Sequence, residues 1–323
     1  MQFKYLLLGL LFPIGLFSQH THHPKPCGTV TGRSAWLKKY QQHPERFAKN
    51  DTTLFQIPLT IHNIGTNVGT GYFKNNALLD ALCTLDKDFA PVDMNFYLEN
   101  PIRRIPNSDY YTHDDILEGA DMMFANNLAH TLNCYFVSDP AGNCGYNLPY
   151  AGIAMNKSCA KPDDHTFAHE VGHAFKLPHP FLGWEGGIGY DNSIEHDYDD
   201  AAPERVLLNY TYFKDTLIRD TLIIDTVWVE NAARTNCHFA GDGFCDTEAD
   251  YLNYRWNCNN EGQSSVEQTD PTGEKFTSEA SLIMSYSSDE CANRFTPEQI
   301  AAMRANLLDT KSDWLYNQTP MPP

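Results

Sequence analysis

Eleven residues, His169-Glu170-Val171-Gly172-His173-Ala174-Phe175-Lys176-Leu177-Pro178-His179, constrain this chain more than any other stretch. Two histidines four apart on a helix project from one face, because the helix turns once every 3.6 residues. Glu170 lies between them and reaches the same point in space. The pattern implies a divalent metal, zinc above all, held by two imidazoles beside a carboxylate base. His179 supplies a third nitrogen. Three protein ligands leave the fourth tetrahedral position of zinc open, which marks a catalytic rather than a structural site.

The flanks say how the segment folds. Asp164 is placed to cap the helix, where a negative charge suits the N-terminal end. Phe167, Val171, Ala174 and Phe175 make a buried stripe. Pro178 stops the helix and turns His179 back toward the metal. Two rivals stand beside this reading. One takes its third ligand from a carboxylate such as Glu195. The other makes the chain a secreted binding or adhesion module on an inactive protease scaffold, against which the intact Glu170 weighs.

With His179 in place the segment resembles the metzincins, whose extended motif is H-E-x-x-H-x-x-G-x-x-H. Lys176 stands where that family has glycine, and a non-glycine residue at positive φ is strained by about 1 kcal/mol. Ser281-Leu282-Ile283-Met284-Ser285-Tyr286 resembles the Met-turn of the same family. The resemblance makes Met284 an apolar floor under the histidines and Tyr286 a stabiliser of the tetrahedral intermediate. Taken alone, Met284 reads as an ordinary core methionine. The stretches Ala240-Gly241-Asp242-Gly243-Phe244-Cys245-Asp246-Thr247 and 283–299 are similar to the pappalysin family, the ulilysin-like secreted proteases in particular. The likeness runs over residues 54–312 and is weak across 180–236.

That resemblance implies an α/β (α+β) metzincin-like fold: a twisted, mostly parallel sheet with backing and zinc-binding helices, then an irregular C-terminal subdomain with the Met-turn and a C-terminal helix. It implies a zinc-dependent endopeptidase with protein or peptide substrates, Glu170 as general base, and a monomer. It makes Gly152 to Asn156 the edge strand of the cleft, which would pair with an extended substrate. It puts Asp289 and Glu290 in the wall of the pocket for the residue after the scissile bond, where acid would favour lysine or arginine; by themselves the two read as surface charge. It also raises calcium at Asp246 and Thr247, within the oxygen-rich cluster Asp242, Asp246, Thr247 and Glu248. A solvated acidic loop is the alternative there.

The ends and the composition bound the rest. Lys4 followed by the apolar run 5–17 and a small residue, Ser18, reads as a signal peptide over 1–18, hence export. Residues 19–50 read as a leader or propeptide, and 51–323 as the catalytic domain, with an upper part near 51–179, a lower part near 180–312 and a tail over 313–323. No later stretch is apolar enough to span a membrane. Forty-one acidic against twenty-three basic residues argue against nucleic acid. Nine cysteines in an exported chain imply disulfides. Cys144 and Cys159 flank a hairpin and are read as a pair. Cys237, Cys245, Cys258 and Cys291 allow three connectivities. Two readings stand for Cys27. One is a zymogen latch whose thiolate takes the open zinc position, as in ulilysin-like zymogens; the other is a disulfide to Cys83 or Cys134.

Local periodicity predicts strands at 54–62, 94–98, 133–137 and 152–156, helices at 75–89, 114–130 and 297–308, and an inserted β-hairpin within 205–230 near the cleft.

Overall fold

The apolar run that starts at Phe55 becomes the central strand β1 (Phe55–Gly65), with nearly every residue buried. Burial on both faces is what a parallel strand sandwiched between helices requires. The computed structural model describes residues 24–29, 32–47, 53–184, 196–213 and 220–315. The expected signal peptide over 1–18 and the rival ligand Glu195 lie outside them.

A helix α1 (Ala35–Gln42) precedes β1, and α2 (Asn75–Phe89), β2 (Met94–Leu98), β3 (Arg103–Pro106) and α3 (Ile116–Asn126) follow it. Then come β4 (Leu132–Val137), β5 (Gly145–Leu148), β6 (Gly152–Asn156) and α4 (Thr166–Ala174). A six-stranded sheet runs β2-β1-β4-β6-β5, with β3 also paired to β1. All pairings are parallel except β5 against β6. The chain is thus a mixed α/β protein with a mostly parallel central sheet. Pro58 is tolerated inside β1 because pairing with β4 begins only at Leu59, so its missing N–H costs no ladder bond on that side.

α2 occupies the predicted span. Its buried face is Leu78, Ala81, Leu85 and Phe89, while Leu79 is exposed. α3 is shorter than predicted. Asp115 caps it by accepting from the Glu118 N–H, and Asn127 leaves the helix to accept from the Tyr135 hydroxyl and donate to the Ala151 carbonyl.

One expectation is corrected. Gly152–Asn156 is not the edge of the sheet, since β4 and β5 flank it. The edge is β5, which the Cys144–Cys159 disulfide holds beside α4. Residues 25–28 lie along that edge: Gly28 N donates to the Gly145 carbonyl at 2.8 Å, and Cys144 N to the Lys25 carbonyl at 2.7 Å.

Beyond α4 the chain is mostly irregular. It carries an antiparallel hairpin, β7 (Arg205–Phe213) with β8 (Asp220–Trp228), and the final helix α5 (Pro297–Thr310). Thr296 and Gln299 form a reciprocal capping box at the start of α5. One core joins Leu37 of α1, the sheet, α2, α4, Met284 and α5. Arg33 ties the N-terminal segment to the region after the hairpin by donating to the His238 and Phe239 carbonyls. No helix among the described residues is long and apolar enough to cross a membrane.

Candidate metal centre

α4 sits with every residue buried, its apolar stripe on the sheet and its histidines turned the other way. Its cap differs from the sequence expectation. His165 is the N-cap residue, and Asp164 accepts the Thr166 N–H from one position further out, at 3.0 Å. The His165 ring bonds to Asp88 at 2.8 Å, and its backbone N–H donates to Asp289. At the other end Leu177 N reaches back to the Gly172 carbonyl and Lys176 N to His173. This closure needs a left-handed residue, and Lys176 takes it with φ at 75°. Its ammonium lies 4.5 Å over the Tyr150 ring, and burial lowers its pKa to about 8.

The turn delivers His179 to its partners. The Nε2 atoms of His169, His173 and His179 stand 3.0–3.1 Å apart. Tetrahedral zinc with Zn–N near 2.0–2.1 Å sets nitrogens roughly 3.3 Å apart, so an ion fits after shifts of a few tenths of an ångström. His169 Nδ1 bonds to the Ile283 carbonyl at 2.8 Å and His173 Nδ1 to the Leu177 carbonyl at 2.7 Å. Carbonyl partners at Nδ1 fix the tautomer that leaves Nε2 free to ligate. Burial first, then the neighbouring His179, holds His169 down at about 3, and burial holds His179 at about 3; both are neutral, the ligating form.

Glu170 is fully buried. One oxygen accepts from the Thr29 hydroxyl at 3.2 Å, and the other has no hydrogen-bond partner. Burial raises its pKa to about 8, against the hydrogen bonds from Cys27 and Thr29. A Cβ on Gly145 would stand 2.8 Å from Glu170 Cγ, so glycine is what lets the edge strand approach the carboxylate.

Cys27 completes the cluster. It is a thiol, as are Cys83 and Cys134, so neither alternative disulfide is formed. Its Sγ lies 3.6 Å from His173 Nε2, and it forms one group with the three histidines whose ligand atoms all lie within 4.8 Å. Burial, then the Glu170 charge, keeps the thiol protonated here; a bound cation would reverse that. Tyr286 packs its ring on His179 and Phe181, and its hydroxyl donates to the Cys27 carbonyl at 3.3 Å. Met284 is fully buried against α4, where a Cβ on Gly172 would meet its Sδ at 2.5 Å.

Other predicted residues fall outside the cluster. Asp289 lines a pocket beside His169 but is ion-paired to Arg255 at 3.1 Å. Glu290 is exposed and is not part of that pocket's lining, because the chain turns outward at the 288–291 turn before the Cys258–Cys291 disulfide. Asp246 accepts from Glu298 N, whereas the Thr247 hydroxyl donates to Asp242 and the Phe244 carbonyl. Buried oxygens of Glu230, Asp242 and Asp246 have no hydrogen-bond partner. Cys237, His238 and Cys245 also gather, but the two cysteines are bonded to each other. Thr29, Arg255 and the Asp88–His165 pair escaped the sequence reading. Only the spacing of Thr29 from Cys27 could have pointed to any of them.

No family model matches the chain. Over 168 residues it is 26% identical to an extracellular metalloprotease of Colletotrichum graminicola, covering 46% of this chain and 59% of that protein. The chain therefore spans less than two thirds of the length of that relative. A solved structure of a chaperone–substrate complex matches 82% of this chain and 35% of that chain at 14% identity and a TM-score of 0.32, too slight to define the fold.

Proposed function

We propose that the chain is a secreted zinc endopeptidase of the metzincin type, akin to the ulilysin-like pappalysins. The observation that carries this reading is the triangle of three Nε2 atoms beside a buried carboxylate with one oxygen free of partners. His169, His173 and His179 would hold the ion. Bound zinc supplies a Lewis acid and a water whose pKa falls to about 7. Glu170 takes the proton as the peptide carbonyl is attacked and passes it to the leaving amine. Tyr286 donates to the developing oxyanion. Its hydrogen bond to a peptide carbonyl, that of Cys27, supports this role. Met284 floors the histidines.

Residues 19–50 act as a propeptide on the domain 51–323, with Cys27 as the latch that closes the ligand set. In support, the leader runs along β5, where an extended substrate would pair, and Thr29 engages Glu170. Calcium near Asp246 and Thr247 is a structural ion in this reading, supported by the partnerless buried oxygens of Asp242 and Glu230.

The test is metal stoichiometry by mass spectrometry on the full chain and on His179→Ala, beside peptide hydrolysis with chelator and added zinc once limited proteolysis has removed residues 19–50 from each. One zinc per chain, lost in the variant, with hydrolysis that follows zinc, is the expected outcome. Full zinc retention in His179→Ala would put the third ligand elsewhere.

A further inference from the structure

Residues 237–245 form a loop closed by the Cys237–Cys245 disulfide. Within it Phe239 N and Ala240 N both donate to the Asn236 carbonyl, and the fully buried Asp242 accepts from Phe244 N and the Thr247 hydroxyl. The end of such a turn leaves carbonyls without donors of their own. Among the described residues no backbone N–H takes the carbonyls of His238 and Phe239. Arg33 takes both, through separate guanidinium nitrogens, at 3.3 and 2.7 Å. Gln41 of α1 completes the contact: its amide donates to the Asp242 carbonyl at 2.9 Å and accepts from Arg33 at 3.3 Å. A Cβ on Gly243 would meet both side chains, so the two fill the space beside it. Asp242 and Asp225 are the acids that face the Arg33 charge. Arg33 also stands at a junction. Just before it lie Cys27 at His173 and Thr29 at Glu170. Just after it Ser34 caps α1, which is rooted by Leu37 in the main core and by the Trp36 indole N–H on Asp309 at 2.7 Å.

We propose that the 237–245 loop is a docking site for the N-terminal segment, with Arg33 as its anchor, and that this contact, outside the ligand cluster, governs how often residues 25–29 lift from His173 and Glu170. Arginine suits the task because its planar fork reaches two carbonyls at once and its charge persists at every working pH. A lysine would bring the charge to one point only. That the access so controlled is latency rests on the peptidase reading above; the docking itself does not, and its test reads no cleavage.

The full chain, in chelator, is exposed to a maleimide, and modification of the free thiols Cys27, Cys83 and Cys134 is followed by peptide mass spectrometry. Cys134, buried in β4, reports unfolding of the body, and Cys27 reports lifting of the segment. Wild type is compared with Arg33→Ala, Arg33→Lys and Lys38→Ala. Arg33→Ala should speed Cys27 modification by about tenfold or more, since it removes two hydrogen bonds from a charged donor, and leave Cys134 unchanged. Arg33→Lys should speed it less. Lys38→Ala loses only an exposed pair with Asp225 at 3.9 Å and should match wild type. A wild-type Cys27 rate in Arg33→Ala would overturn the proposal. So would Cys27 and Cys134 rising together, which would make Arg33 a prop of the whole fold. Should Arg33→Ala fail to fold, Gln41→Ala removes the tie to Asp242 and keeps the charge; a faster Cys27 beside an unchanged Cys134 is expected there too, and an unchanged Cys27 would overturn the proposal. The peptidase reading stands or falls separately.

Discussion

Replacing Gly172 by alanine tests how tightly the Met284 turn is keyed to the metal-binding helix. By helix propensity alone the change stabilises by about 1 kcal/mol. The structure opposes it. The new Cβ would stand 2.5 Å from Met284 Sδ, and 3.4 Å from both Met284 Cε and Phe295 Cε1. The first contact must open by about 1 Å to reach ordinary van der Waals distance. Met284 is fully buried within the main core, so it has no open space to move into. Overpacking of this kind costs about 1–3 kcal/mol. The balance is a net loss of about 1 kcal/mol, which at about 2.1 cal/mol/K of unfolding entropy per residue lowers the Tm of a chain of this size by roughly 1–2 °C. Thermal unfolding in chelator isolates this packing effect from metal binding. In a Met284→Ala background the methyl has room, so Gly172→Ala should there stabilise by about 1 kcal/mol, a coupling of opposite sign. A Gly172→Ala protein more stable than wild type in the unmutated background would refute the packing argument.

Three further outcomes follow from the geometry. In the native full chain Cys83, which is exposed, should react with a thiol reagent, while Cys27 and Cys134, both buried, stay protected until unfolding; modification of Cys27 as fast as Cys83 would count against the latch. Burial alone would lower the His165 pKa, but the hydrogen bond and charge of Asp88 outweigh it and hold it above the ordinary 6.5. The stability this adds is complete below 6.5 and lost as pH rises through the raised value, so denaturant midpoints should fall more steeply over that window in wild type than in Asp88→Asn, the raised carboxylates Glu170, Asp242 and Glu230 contributing equally to both. Removal of calcium should lower Tm and its return restore it; a Tm indifferent to calcium would leave the Asp242 region as an acidic loop.

What the sequence made legible is what short spacing controls. The helix at 75–89 and the strands at 94–98 and 152–156 come from local periodicity, and they stand where they were predicted. His169, Glu170 and His173 share a helix face by spacing alone, and Pro178 and the left-handed Lys176 bring His179 to them. Strand order is not legible, because it depends on pairings across tens of residues; the resemblance makes Gly152–Asn156 the edge, whereas β5 pairs outside it. Asp289 was visible beside the turn, but its partner Arg255 comes from a loop thirty-four positions earlier, and no local pattern joins them. Thr29 meets Glu170 only because the segment around Cys27 lies along the β5 edge, a pairing more than a hundred residues apart in sequence.

The measurement that bears most directly on the central claim is a cleavage map. The activated, zinc-loaded protein and its Glu170→Ala variant would meet the same diverse peptide pool, with products sequenced by mass spectrometry and zinc measured in both. New peptide termini made only by the unmutated protein, with equal zinc in the two, is the outcome expected if Glu170 is the base of a zinc endopeptidase. Equal cutting by the variant, or none by a zinc-loaded protein freed of its leader, would contradict it.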